Sequence, residues 1–114
     1  VITMSSGAAV NGHRGWGGYS ISKAALNMFT KMYSNEVPKT HFTALAPGLI
    51  DTSMQDYLCS IPDPEKFGAI QRLKEARHTP NMPGPEEAAQ KIIKIIPKLR
   101  DYESGSFVDI RSMT

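Results

Sequence analysis

The apolar and polar positions of this chain change period several times, and each change marks an element. Val1-Ile2-Thr3-Met4 is an apolar run that stops at Ser5-Ser6-Gly7, the pattern of a short buried strand. Gly15-Trp16-Gly17-Gly18 reads as a loop. It leads into a helix from Gly18 to about Glu36, with Ala24, Ala25, Met28, Phe29 and Met32 on an apolar face. Pro38 helps to end that helix. His41 to Ala46 is a second strand-like run, closed by Pro47-Gly48. Ser53 to Leu58 and Pro64 to Ala76 read as two short helices of weak periodicity. Thr79 to Pro85 is a stiff linker with turn chemistry, and Pro85 suits the first turn of a helix. The stripe of that helix is Ala88, Ala89, Ile92, Ile93 and Ile96. Gly105 marks a turn before a last strand, Ser106 to Ile110. The order β-α-β-(α)-α-β predicts an α/β fold, its strands parallel and joined by right-handed crossovers.

Composition narrows the function classes. A chain of 114 residues is one domain or part of one. Its net charge of +2 carries no basic stripe or aromatic platform, which argues against nucleic acid as a partner. No run approaches the ~18–20 apolar residues of a membrane span, and no signal peptide is visible. Cys59 is the single cysteine, so an internal disulfide is impossible and a reducing, cytoplasmic location is expected. His13, His41 and His78 are scattered without metal-ligand spacing and read as surface or structural residues.

The candidate chemistry lies near the start. Tyr19 and Lys23 are four apart on the first predicted helix, so they share a face about one turn apart. Ser6 precedes the tyrosine by thirteen residues, at the end of the first strand. A free phenol titrates near pH ~10, and a neighbouring ammonium or a cationic cofactor ring favours its ionised form. A neutral hydroxyl donates a hydrogen bond to a substrate oxygen. With no base beside it, Ser6 does not read as a nucleophile. The three together fit a site that moves a proton on or off a carbinol oxygen while a cofactor moves a hydride. Both predicted strands end in small or hydroxyl-bearing residues, and ligands of parallel α/β sheets bind beyond the carboxyl ends of the strands. Gly7 and Gly12 have the first spacing of a P-loop, but His13-Arg14 follow where Lys and Ser/Thr are required, which excludes that motif.

Three pieces in order carry a resemblance: the strand ending Ser5-Ser6, the segment Tyr19-Ser20-Ile21-Ser22-Lys23, and Pro47-Gly48-Leu49-Ile50-Asp51-Thr52. The chain resembles the C-terminal half of a short-chain dehydrogenase/reductase over nearly its whole length. The resemblance implies the C-terminal portion of a Rossmann-type doubly wound parallel sheet, about three strands with flanking helices. It implies Tyr19 as general acid/base, Lys23 on the nicotinamide ribose, and Ser6 orienting the substrate carbonyl. It further implies Pro47, Gly48, Ile50 and Thr52 facing the nicotinamide of NADP or NAD. The segment from Ser53 to Ala76 would be the mobile part that closes over substrate, with Met54, Tyr57 and Leu58 near it.

Gly15-Trp16, Asp51-Thr52-Ser53-Met54-Gln55 and Gly105-Ser106-Phe107-Val108-Asp109 are similar to the sepiapterin reductase and benzil reductase branch. That branch implies a ketone, dicarbonyl or pterin-like substrate. An aspartate at the position of Asp109 anchors the pterin there, and the alternative is that Asp109 only caps a strand end. Trp16 likewise either lines the substrate pocket or packs within its loop. The family's glycine-rich Thr-Gly-x-x-x-Gly-x-Gly turn, its Asn-Ala-Gly segment and its catalytic asparagine have no match in the chain. Residues 1–114 are therefore expected to form a partial single domain, the catalytic and substrate-binding half without the dinucleotide-binding half. A homodimer is expected of a full-length protein, with the helix of Tyr19 and Lys23 in its interface. The competing expectation is an inactive fragment or relative that serves as a binding or dimerisation module.

Overall fold

The computed structural model describes residues 1–62 and 66–113. Three strands, β1 (Ile2–Met4), β2 (Thr43–Ala46) and β3 (Ser106–Asp109), form one sheet in the order β1-β2-β3. Both pairings are parallel, with Thr3 opposite Ala44 and Leu45 opposite Val108. Four helices accompany them: α1 (Gly17–Glu36), α2 (Ser53–Cys59), α3 (Gly68–Ala76) and α4 (Pro85–Ile95). The fold is thus the expected α/β arrangement, a three-stranded parallel sheet flanked by helices. The predicted start of the third helix at Pro64 lies outside the described residues; α3 itself begins at Gly68.

The strands differ in burial because of their place in the sheet. β2 is central and buried at every residue, with Ala44 and Leu45 fully inaccessible. β1, expected to be buried, is half-exposed, since it pairs on one side only among the described residues. Alternation along the strands sends Thr3, Ala44 and Phe107 to one face and Ile2, Leu45 and Val108 to the other. Leu45, Val108 and Leu99 form a core with Ile2, Ile92 and Ile95. The stripe of α4 is therefore Ala88, Ile92, Ile95 and, in the following turn, Leu99; the predicted Ala89, Ile93 and Ile96 are exposed. Isoleucines at 92, 93, 95 and 96 allow two overlapping stripes, and Leu99 decides between them.

The apolar face expected on α1 exists but points outward. Met28, Phe29 and Met32 are at least half exposed, and Ala24 and Ala25 are exposed as well. The buried residues of α1 are Thr30 and Ser34. Thr30 Oγ1 bonds Thr3 Oγ1 at 2.7 Å, so the inward hydroxyls are paired rather than stranded. The sheet face beneath offers Ala44 and Ala46, which admit a close helix but no large side chain.

Candidate active site

β1 and β2 run in parallel, so their carboxyl ends open on the same side, where the chain leaves at Ser5-Ser6 and at Pro47-Gly48. An open hollow of about 300 Å³ lies there. Ser6, Trp16, Tyr19, Pro47 and Gly48 line it. Ser6 caps the short 3-10 turn Gly7–Ala9, its Oγ accepting the Ala8 N–H at 3.1 Å. An oxygen used as acceptor keeps its own hydrogen for donation.

The Tyr19 ring meets the Trp16 ring edge to face, with centroids 5.8 Å apart at 67°. Trp16 lines the hollow, and it packs on the second apolar cluster of Ile70, Leu73 and Met82. Gly15 precedes it at φ +88, where a Cβ would stand 2.7 Å from the Phe67 ring, so the loop closes against α3 only through glycine.

Lys23 does not itself line the hollow. Its Nζ donates to the Met4 carbonyl at 2.9 Å and lies 5.8 Å from the Tyr19 ring centroid. One of three ammonium hydrogens is thereby used, which leaves two for other acceptors. One turn further on, Asn27 Oδ1 accepts from the buried Ser5 hydroxyl, so α1 is fastened to the end of β1 at two successive turns.

Ile50, Thr52 and Met54 do not line the hollow. Ile50 is half-buried and Thr52 precedes α2 at its N-cap. Met54 is about half exposed on α2, away from the lining. The loop between β2 and α2 is instead clasped by Arg77, whose Nε bonds Asp51 at 3.0 Å and whose guanidinium also pairs with Asp56. Asp51 N–H donates to the Pro83 carbonyl at 2.9 Å.

Asp109 ends β3 and caps the 3-10 turn Ile110–Ser112 by accepting from Arg111 N–H at 2.9 Å. The predicted strand residue Ile110 belongs to that turn. Both carboxylate oxygens also accept from the Arg111 guanidinium, at 3.1 and 2.8 Å. Those hydrogen bonds hold the Asp109 carboxyl below the ordinary carboxylate range, against the opposing pull of desolvation. A lowered folded-state pKa stabilises the fold above the unfolded value of about 3.9, and that contribution is lost as pH falls through the folded value. We therefore expect the urea midpoint to fall as pH drops below about 4. Arg111→Met should flatten the Asp109 part of that slope, and an unchanged slope would refute the assignment.

Sequence reasoning missed the cationic side of the hollow. Arg72 on α3, Arg111 after β3, and His13 all line it. His13 was expected to be surface or structural, and it accepts from Arg72 at 3.3 Å through Nδ1. No spacing signal marks these three, because they come from three separate segments. Among the described residues there is no cluster of His, Cys, Asp or Glu that could hold a metal ion.

A family profile described as short chain dehydrogenase matches residues 1–60. The benzil reductase ((S)-benzoin forming) of Bacillus subtilis is 31% identical over 97% of this chain and 46% of its own length. The sepiapterin reductase of Meriones unguiculatus is 33% identical over 96% of this chain and 40% of its own. Among solved structures, the KRED1-Pglu enzyme superposes with a TM-score of 0.74 at 26% identity, covering 94% of this chain and 45% of that one. A short chain dehydrogenase/reductase from Saccharomyces cerevisiae gives a TM-score of 0.79 at 24% identity, over 98% and 46%, a likeness of fold. The chain thus spans less than half the length of the relatives it matches. With the profile over more than half of the residues and the same parallel α/β core, the chain belongs to the short-chain dehydrogenase family.

Proposed function

We propose that this chain is the catalytic and substrate-binding half of an NAD(P)-dependent carbonyl reductase, and that residues 1–114 form part of one Rossmann-type domain. The observation that carries the reading is the shared hollow of Ser6 and Tyr19, with the Lys23 ammonium 5.8 Å from the tyrosine ring. Tyr19 gives its hydroxyl proton to the substrate oxygen as that oxygen gains charge. Ser6 donates its free O–H to the same oxygen and orients it. Lys23 holds its ammonium 5.8 Å from the tyrosine ring and has hydrogens left for a ribose hydroxyl.

A reduced nicotinamide, when bound, supplies the hydride. The residues fit such a ring: Pro47, Gly48 and Leu49 line the hollow, and Gly48 holds φ +81, a conformation glycine adopts freely and one that leaves the turn without a side chain. NADP is the proposed cofactor, with NAD as the variant, and a cytoplasmic location accompanies it. The relatives named benzil reductase and sepiapterin reductase support a dicarbonyl or pterin-like substrate. Engagement of both Asp109 oxygens by Arg111 favours the dicarbonyl. The test joins this chain to the dinucleotide-binding half of the Bacillus subtilis relative and follows NADPH and NADH oxidation with benzil. Absence of turnover in a folded, nucleotide-binding protein would overturn the reading.

The exposed Met28, Phe29 and Met32 support self-association, which is also the function left to a chain without catalysis. On its own the 114-residue chain is expected to associate or to melt without cooperativity. Phe29→Lys should weaken association about tenfold or more in sedimentation equilibrium. A cooperative melt by a wild-type monomer would count against the interface.

A further inference from the structure

The lining of the hollow combines two kinds of chemistry. Ser6 and Tyr19 contribute hydroxyls, and α3 contributes Ala69, Arg72 and Leu73, with His13 hydrogen-bonded to Arg72. A guanidinium only donates, so His13 Nδ1 is the acceptor of that contact. Arg72 therefore has donors to spare. Arg111 is matched by Asp109, but among the described residues Arg72 makes no ion pair, and no carboxylate lines the hollow. A cation without an ion pair among the described residues, in the same hollow as a carbonyl-directed pair of hydroxyls, favours an anion on the same molecule.

The geometry points to a substrate that carries a carboxylate beside its reducible carbonyl, the carboxylate taken by Arg72 and the carbonyl by Ser6 and Tyr19. This assignment rests on the carbonyl-reductase reading of the hollow and names its substrate class. A volume of about 300 Å³ suits a small ligand of this kind, such as an aryl α-keto acid. His13 fixes one edge of the guanidinium, so Arg72 acts as a specificity residue rather than a participant in proton transfer. An aromatic keto acid also places its ring within reach of the Trp16 side of the hollow.

The experiment titrates the joined, nucleotide-binding protein of the preceding test with phenylglyoxylate and with its uncharged methyl ester at low ionic strength, and reads each Kd by calorimetry, without any turnover. The acid is expected to bind about two- to fivefold more tightly than the ester, the scale of one exposed charge pair. Added salt should shrink that preference. Arg72→Gln should abolish that preference by weakening acid binding to the level of the ester, and Arg72→Lys should keep part of it.

Equal affinity for acid and ester overturns the assignment, as does a preference that survives Arg72→Gln or an absence of binding by both. Displacement by inorganic phosphate as efficient as by the keto acid would mark a general anion site and overturn it too. Failure of the reductase reading appears separately, as absence of NAD(P)H oxidation with either compound or with benzil in the nucleotide-binding protein.

Discussion

Tyr19→Phe is expected to lower kcat/KM for carbonyl reduction about 10²–10⁴-fold, the range of a positioned general acid. That is about 3–5 kcal/mol of transition-state stabilisation. The substitution removes one oxygen and keeps the ring. The edge-to-face contact with Trp16 and the approach of the Lys23 ammonium both belong to the ring, so they survive. Among the described residues the Tyr19 hydroxyl makes no hydrogen bond, so its loss should not weaken the fold. Circular dichroism and the urea midpoint should match wild type while NADPH oxidation collapses. KM should move little, because the proton is delivered in the transition state and not in the ground state. A mutant that retains the wild-type rate would remove Tyr19 from the chemistry, and with it the carbonyl-reductase reading.

Gly105→Ala should destabilise the chain by about 2–5 kcal/mol, through left-handed backbone and overpacking together. Gly105 sits at φ +91 in the turn that enters β3, where its N–H donates to the Phe42 carbonyl at 2.8 Å. A Cβ there would collide with the Ser34 side chain and come within 3.3 Å of Lys31 Cα. The second contact is with the backbone of α1, which a rotamer change cannot relieve. Against a typical domain stability of about 5–15 kcal/mol this is a large fraction. Because α1 also carries Tyr19 and Lys23, a displaced helix would disturb the hollow as well. Gly12→Ala is the matched control, since nothing lies within 4 Å of a Cβ at that position. Denaturation of the two variants side by side checks the prediction, and equal midpoints would refute it.

The amino-acid order by itself determined which segments become helix and which become strand. Apolar runs bounded by Ser5-Ser6 and by Pro47-Gly48 can only be short strands, and Pro85 and Gly105 punctuate the elements around them. It also determined that Tyr19 and Lys23 share a helical face, because that follows from 3.6 residues per turn alone. What it did not determine was direction. The stripe of Ala24, Met28 and Phe29 is genuine, yet it faces outward, since the sheet surface under α1 is lined by Ala44, Ala46 and Gly105 and has room only for Thr30 and Ser34.

The same holds for the charges. Local sequence shows Asp109 two residues from Arg111, but only the folded turn shows the carboxylate fully engaged. Nothing local brings His13 and Arg72 together; fifty-nine residues separate them, and the packing of α3 over the Gly15-Trp16 loop makes the contact. Periodicity is a property of neighbours in sequence, and it survives any tertiary arrangement. Which surface a face meets, and which charges share a hollow, depend on distances between segments that no local pattern encodes.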